Sequence, residues 1–155
     1  MSVIIQGNQL RALLEGQLVA NAAAKTVPQN ATSTIFTVSG GRVLLTGLYG
    51  VVKTVIGGTT PSAKIVSTPT VGTAVDVSSA TAITGKEVGA NIALAGTVGT
   101  ALNVQNGGAG AGLPSPIVIP AGTLGVNVSA ADATGAIQWT LTYVPLDNGA
   151  SVTAA

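Results

Sequence analysis

The side chains that could do acid–base chemistry in this 155-residue chain are few: Arg11, Lys25, Arg42, Lys53, Lys64 and Lys86 against Glu15, Asp76, Glu87, Asp132 and Asp147. Histidine and cysteine, the usual suppliers of a base or nucleophile that titrates near neutral pH, are both absent. Carboxylate-pair catalysis needs two acids that converge. Asp76, Glu87, Asp132 and Asp147 are dispersed and fit no recognisable spacing, so a surface or turn role is the simpler reading of each. Ser62-Ala63-Lys64 meets the formal requirement for a serine–lysine nucleophile, but no neighbouring residue supports it. The glycines at 107, 108, 110 and 112 are not followed by a Lys-Ser/Thr pair, so they make no phosphate loop. A metal would have to be held by carboxylates and carbonyls alone, without an acid-rich calcium loop to gather them, and thiolate sites are excluded. The expectation is a non-enzyme with no catalytic residue, no metal site and no cofactor.

Charge limits the partners as well. The net charge is +1, and no two basic residues are adjacent. Binding nucleic acid through its phosphates needs clustered Lys and Arg, and an anionic membrane surface needs the same; neither is expected as a partner. The stretch from Val88 to Ala131 is uncharged, but Gly89, Asn91, Gly96, Asn103, Gln105 and Pro116 interrupt it. A spanning helix wants about 20 mostly apolar residues. The first residues, MSVIIQGNQLRALLEG, lack a basic region followed by a long apolar core, so neither a signal peptide nor a transmembrane segment is expected.

Only 7% of the residues are charged, against about a quarter in ordinary soluble domains. The surface must then be covered by Thr, Ser, Asn, Gln, Gly and Ala, which cost little to desolvate. Interface cores are depleted of charge in the same way, so the composition favours an oligomer or a large assembly over a solitary domain.

The elements that would carry such contacts fall into two parts. Leu10, Leu13, Leu14 and Leu18 recur at helical spacing, with Arg11 and Glu15 placed i,i+4 on another face. Asn8 is a candidate N-cap, and Asn21-Ala22-Ala23-Ala24 extends the pattern, so residues 8–24 read as one amphipathic helix within an N-terminal arm of residues 1–30. Gly16 weakens that helix by about 1 kcal/mol relative to Ala. The leucine face either covers an open edge of the main domain or serves as a docking or trimerisation arm. From residue 31 to 155 the period changes to two. Thr34–Val38, Arg42–Val52 and Ile137–Tyr143 are the clearest strands, with Gly47 and Gly50 marking bulges or close backbone contacts. Ile83, Val88, Ile92 and Leu94 suggest one or two short strands, Gly107–Gly112 a flexible loop, and Asp147–Ala155 a frayed tail. Phe36, Trp139, Leu141 and Tyr143 are the expected large core residues. About nine short strands with turn signals every 8–12 residues indicate a mainly β chain, an antiparallel β-sandwich or jelly-roll-like domain with a short N-terminal α-helix, a closed barrel being the alternative.

Three segments carry a family resemblance: Ser39-Gly40-Gly41-Arg42-Val43-Leu44-Leu45-Thr46-Gly47-Leu48-Tyr49-Gly50, Lys64-Ile65-Val66 with Thr68-Pro69-Thr70-Val71-Gly72-Thr73-Ala74-Val75-Asp76, and the run from Ile137 to Ala150. Over residues 32–152 the chain resembles small virion proteins of tailed bacteriophages, which are taken as head decoration (cement) proteins. The resemblance implies a structural protein on the outer surface of the capsid, with the major capsid protein and copies of itself, as a homotrimer, for partners. A tail or fibre component with a receptor-binding role is the alternative it leaves. The N-terminal helix lies outside the resemblance. Leu10, Leu13, Leu14 and Leu18 are its candidate assembly contacts, and deleting residues 1–30 is expected to weaken assembly while leaving the β domain folded.

Overall fold

The computed structural model describes residues 6–107, 109 and 115–155. In chain order the described elements are α1 (Gly7–Glu15), β1 (Gln17–Ala20), β2 (Lys25–Thr26), β3 (Ala31–Ser39), β4 (Val43–Thr54), β5 (Ser62–Pro69), β6 (Val75–Asp76), β7 (Ser78–Ser79), β8 (Thr81–Ala82), β9 (Asn91–Ala93), β10 (Thr100–Ala101), β11 (Asn103–Gln105), β12 (Ile117–Ile119), β13 (Gly122–Val128), β14 (Ala136–Pro145) and β15 (Ser151–Ala154). The front sheet runs β1-β14-β4-β9-β11, with β2 added to β14 and β12 to β4. The back sheet runs β15-β3-β13-β5-β6, with β8 added to β5. Every pairing in these two sheets is antiparallel; a short parallel pair, β7 with β10, lies outside them. The architecture is an antiparallel β-sandwich with a short N-terminal helix.

Alternation decides which side chains meet between the sheets. On β14, Ile137, Trp139, Leu141 and Tyr143 point inward and are buried, while Gln138, Thr140 and Thr142 alternate with them. From the back sheet come Phe36, Ile65 and Leu124, all buried in the same core. Trp139 stands opposite Gly50 of β4, and a Cβ at Gly50 would sit 2.9 Å from the indole ring. Only glycine leaves that ring its space. A bulge places Thr46 as the extra residue of β4 between Leu45, opposite Tyr143, and Gly47, opposite Thr142.

Several expectations from sequence need correction. The helix ends at Glu15 instead of running to residue 24, because Gly16 adopts φ 87°, ψ −173°, a region that glycine favours, and is packed on the Tyr143 backbone where a Cβ would clash. Leu18 therefore lies on a strand, paired with Thr142, and not on the leucine face of a helix. The helix is capped from Gln6, whose N–H donates to Gln9 Oε1 at 3.0 Å, and Asn8 lies within the first turn. The boundary expected at residue 30 falls at Gly16, since β1 and β2 are both hydrogen-bonded to β14. The C-terminal residues are not frayed: β15 pairs with β3, and Val152 is buried. Val88 is exposed in the connection before β9, whereas Ile83, Ile92 and Leu94 are buried. Most of the glycine-rich stretch 107–112 lies outside the described residues.

Candidate interaction surface

Asp147 and Asp132 hold turns together. Asp147 accepts hydrogen bonds from Arg42 Nη2 at 2.8 Å, Arg42 Nε at 3.0 Å and the Arg42 backbone N–H at 2.7 Å. These bonds, the side-chain ones first, hold its carboxyl down at about 2, and the same pair raises the Arg42 guanidinium above its ordinary value. Asp132 accepts from the Thr59 hydroxyl at 2.7 Å and its N–H at 2.8 Å, which lower its pKa. The Lys64 ammonium donates to Asp76 at 2.7 Å. Among the described residues, no group of three or more His, Cys, Asp or Glu is placed to hold a metal ion.

The surface feature that stands out is α1. Leu10, Leu13 and Leu14 are 52%, 73% and 77% exposed, and Leu18 just beyond is 67% exposed. The helix is amphipathic, yet its apolar side chains are uncovered. A helix this short is marginal in water without tertiary packing.

The root of α1, by contrast, is held firmly. The Thr46 hydroxyl donates to the Glu15 carbonyl at 2.6 Å and lies 2.9 Å from Thr142 Oγ1. Tyr143 buries its ring and donates its hydroxyl to Gln17 Oε1 at 2.8 Å. Asn21, at the end of β1, is buried and ties the two sheets: its side-chain amide donates to the Ile35 carbonyl at 3.1 Å, and its backbone N–H to the Trp139 carbonyl at 3.0 Å. The bulge that displaces Thr46 thus supplies the hydroxyl that anchors the helix.

Clefts of about 400 Å³ flank the helix on two sides. One is lined by Gln9, Ala12 and Leu13 with Tyr143, Val144 and Pro145. The other lies between Leu14, Leu18 and the threonine-rich outer face of the front sheet at Thr46, Tyr49, Thr140 and Thr142. Glu15 is the sole charged residue lining either. The four leucines of the sequence pattern therefore lie at one corner of the molecule, Leu18 reaching it from the edge strand.

A second apolar surface was not singled out by sequence reasoning. Val71, Val75, Val98 and Val118 line a groove of about 260 Å³ between the ends of β5, β6 and β12. Val71, 90% exposed, belongs to a Val-Gly-Thr-Ala tetrapeptide that recurs at Val98–Ala101, and the fold brings the two valines together. That recurrence was the signal for the groove. Among the described residues, no helix is long and apolar enough to cross a membrane.

No protein-family model, curated protein or solved structure matches the chain.

Proposed function

We propose that this chain is a head decoration (cement) protein of a tailed bacteriophage, carried on the outer surface of the capsid and in contact with the major capsid protein and with copies of itself as a homotrimer. The observation that carries the reading is the apolar corner of α1 and β1, a firmly rooted element whose leucines stand exposed. The neutral, threonine-rich sheet face beside it supports the same reading, since neighbouring copies with a net charge of +1 repel one another little when crowded on a shell. The work of such a protein is mechanical. Each copy adds modest contact area across the joints of the shell, and many copies add up through multivalency.

Quantitative mass spectrometry of gradient-purified particles tests this directly. The expected result is a copy number close to that of the major capsid protein. A handful of copies per particle would move the protein to the tail or a fibre, with receptor binding as its role, and absence from the particle would overturn the reading.

A further inference from the structure

We propose that Asn106 is a site of self-modification: the backbone nitrogen of Gly107 attacks the Asn106 carboxamide, and the folded protein converts this residue to aspartate and isoaspartate well ahead of Asn148. In the first step the bond from Gly107 N to Asn106 Cγ forms and the Cγ–Nδ2 bond breaks. The departing nitrogen takes up the amide proton and leaves as ammonia, and a succinimide remains. Water then opens that ring. Attack at the side-chain carbonyl gives aspartate; attack at the main-chain carbonyl routes the chain through the side chain and gives isoaspartate. Water is the only co-reactant. The reaction needs no partner, so it stands apart from the decoration reading.

Glycine after asparagine favours this chemistry, because a residue without a side chain leaves its nitrogen open and its backbone free to turn. The sequence holds two such pairs, Asn106-Gly107 and Asn148-Gly149, and the fold treats them differently. Asn148 lies in a closed turn. The Ala150 N–H donates to the Asp147 carbonyl at 3.1 Å, and Gly149 takes φ 83°, the pattern of a type II turn. The extended ψ that such a turn gives Asn148 aims the Gly149 nitrogen away from the Asn148 Cβ. Ring closure needs that nitrogen swung round to eclipse Cβ, and the swing breaks the turn. The surroundings resist it. Arg42 clasps the Asp147 carboxylate, the Leu146 N–H donates to the Arg42 carbonyl at 3.0 Å, and the Gly149 carbonyl packs so closely on Gly40 that a Cβ there would clash.

Asn106 meets less resistance. It follows β11, a three-residue strand at the edge of the front sheet that pairs with β9. Asn106 and Gly107 are both exposed. Among the described residues, neither the Asn106 carboxamide nor the Gly107 N–H makes a hydrogen bond. The Asn91 Nδ2 donates to the Gly107 carbonyl at 3.0 Å, but that bond lies on the far side of Gly107 from the attacking nitrogen. Gly107 takes φ 100°, and no other group lies within 4 Å of where its Cβ would stand. The product places a carboxylate in the uncharged stretch from Val88 to Ala131 and lowers the net charge of +1 by one.

The test follows both residues in one tube. Purified full-length protein is kept warm at mildly alkaline pH, and proteolytic fragments are sequenced by mass spectrometry at intervals. Asn106 is expected to show the amide-to-acid mass change roughly tenfold faster than Asn148, with isoaspartate among the products. In denaturant the turn is gone and the gap should close. Asn106→Gln should remove the change at residue 106 and leave Asn148 as slow as before. Equal rates in the folded protein, or a faster Asn148, would overturn the proposal. So would a gap that persisted in denaturant, because the preference would then belong to the local sequence and not to the fold. These rates are independent of copy number on particles, so either reading can fail without the other.

Discussion

Helix α1 and strand β14 have 9 and 10 residues, and each carries a row of large apolar side chains, but they meet opposite fates. Ile137, Trp139, Leu141 and Tyr143 are almost completely buried, whereas Leu10, Leu13 and Leu14 are more than half exposed. The difference lies in what flanks each element. β14 is hydrogen-bonded between β1 and β4 and faces the back sheet across the core. α1 is anchored at its C-terminal end, by Gly16, Gln17 and Thr46. An apolar pattern specifies a face that must be covered; the connectivity decides whether the same chain covers it. In β14 that face contributes to folding. In α1 it remains exposed.

The sharpest way to break this contrast is to remove one face at a time. Trp139→Ala should cost about 3–5 kcal/mol, the range for truncating a large buried aromatic, read from urea unfolding followed by circular dichroism. Replacing Leu10, Leu13 and Leu14 together by Ser should change stability by no more than about 1 kcal/mol, as exposed substitutions do. Comparable losses from the two variants would show that α1 is packed within the protomer in solution.

Truncation draws the same line along the chain. Deleting residues 1–15 should leave the unfolding midpoint nearly unchanged. Deleting residues 1–30 removes β1 and β2, uncovers the β14 edge at Leu141 and takes away the Asn21 bonds; a loss of at least about 2 kcal/mol is expected. Equal midpoints for the two truncations would put the boundary back at residue 30.

Two glycines sharpen the contrast at smaller cost. Gly50→Val drives a branched side chain into Trp139 and Ile137 and should destabilise the whole domain by about 1–3 kcal/mol. Gly16→Ala meets a positive φ and the Tyr143 backbone. The strain, about 1–3 kcal/mol, can be relieved by releasing α1 and the start of β1. Hydrogen exchange should therefore accelerate at residues 17–20 while the amides of β4 keep their protection. Acceleration across both strands would mean that the root of α1 is part of the global folding unit.

What could be read from the sequence follows the reach of each interaction. The strand at Ile137–Tyr143 and the special character of Gly47 and Gly50 were legible because two-residue alternation and a missing side chain are local signals. The extent of α1 was not. Gly16 is a stop because of the Tyr143 carbonyl, far away in sequence, and Leu18 leaves the helical pattern because β1 pairs with β14. Sequence spacing picked out the leucines and placed them on one helix; the fold brings Leu18 to the same corner by another route. Val152 reads as tail until β3 is known to lie beside it. The recurring Val-Gly-Thr-Ala is visible in the chain, but nothing local says that Val71 and Val98 share a groove.

The smallest expected effect belongs to the Arg42–Asp147 clasp, which binds the turn after β3 to the loop after β14. With Asp147 held at about 2, below its ordinary 3.8, the unfolded chain takes up a proton there before the folded one does. The clasp therefore contributes fully above about pH 4, and its contribution is lost as the pH falls toward about 2. The pair is partly open to solvent, with side-chain exposures of 62% and 35%, so salt should weaken it. Asp147→Asn should flatten the acid limb of a stability–pH curve measured by urea unfolding. A residual slope of the same sign should remain, because the Thr59 hydrogen bonds lower the Asp132 pKa as well. Serine at positions 10, 13 and 14 should leave the acid limb as it is, since the clasp belongs to the β body. An acid slope indifferent to Asp147→Asn would show the clasp open in solution. A slope that changed with the leucines would join the two regions that the fold keeps apart.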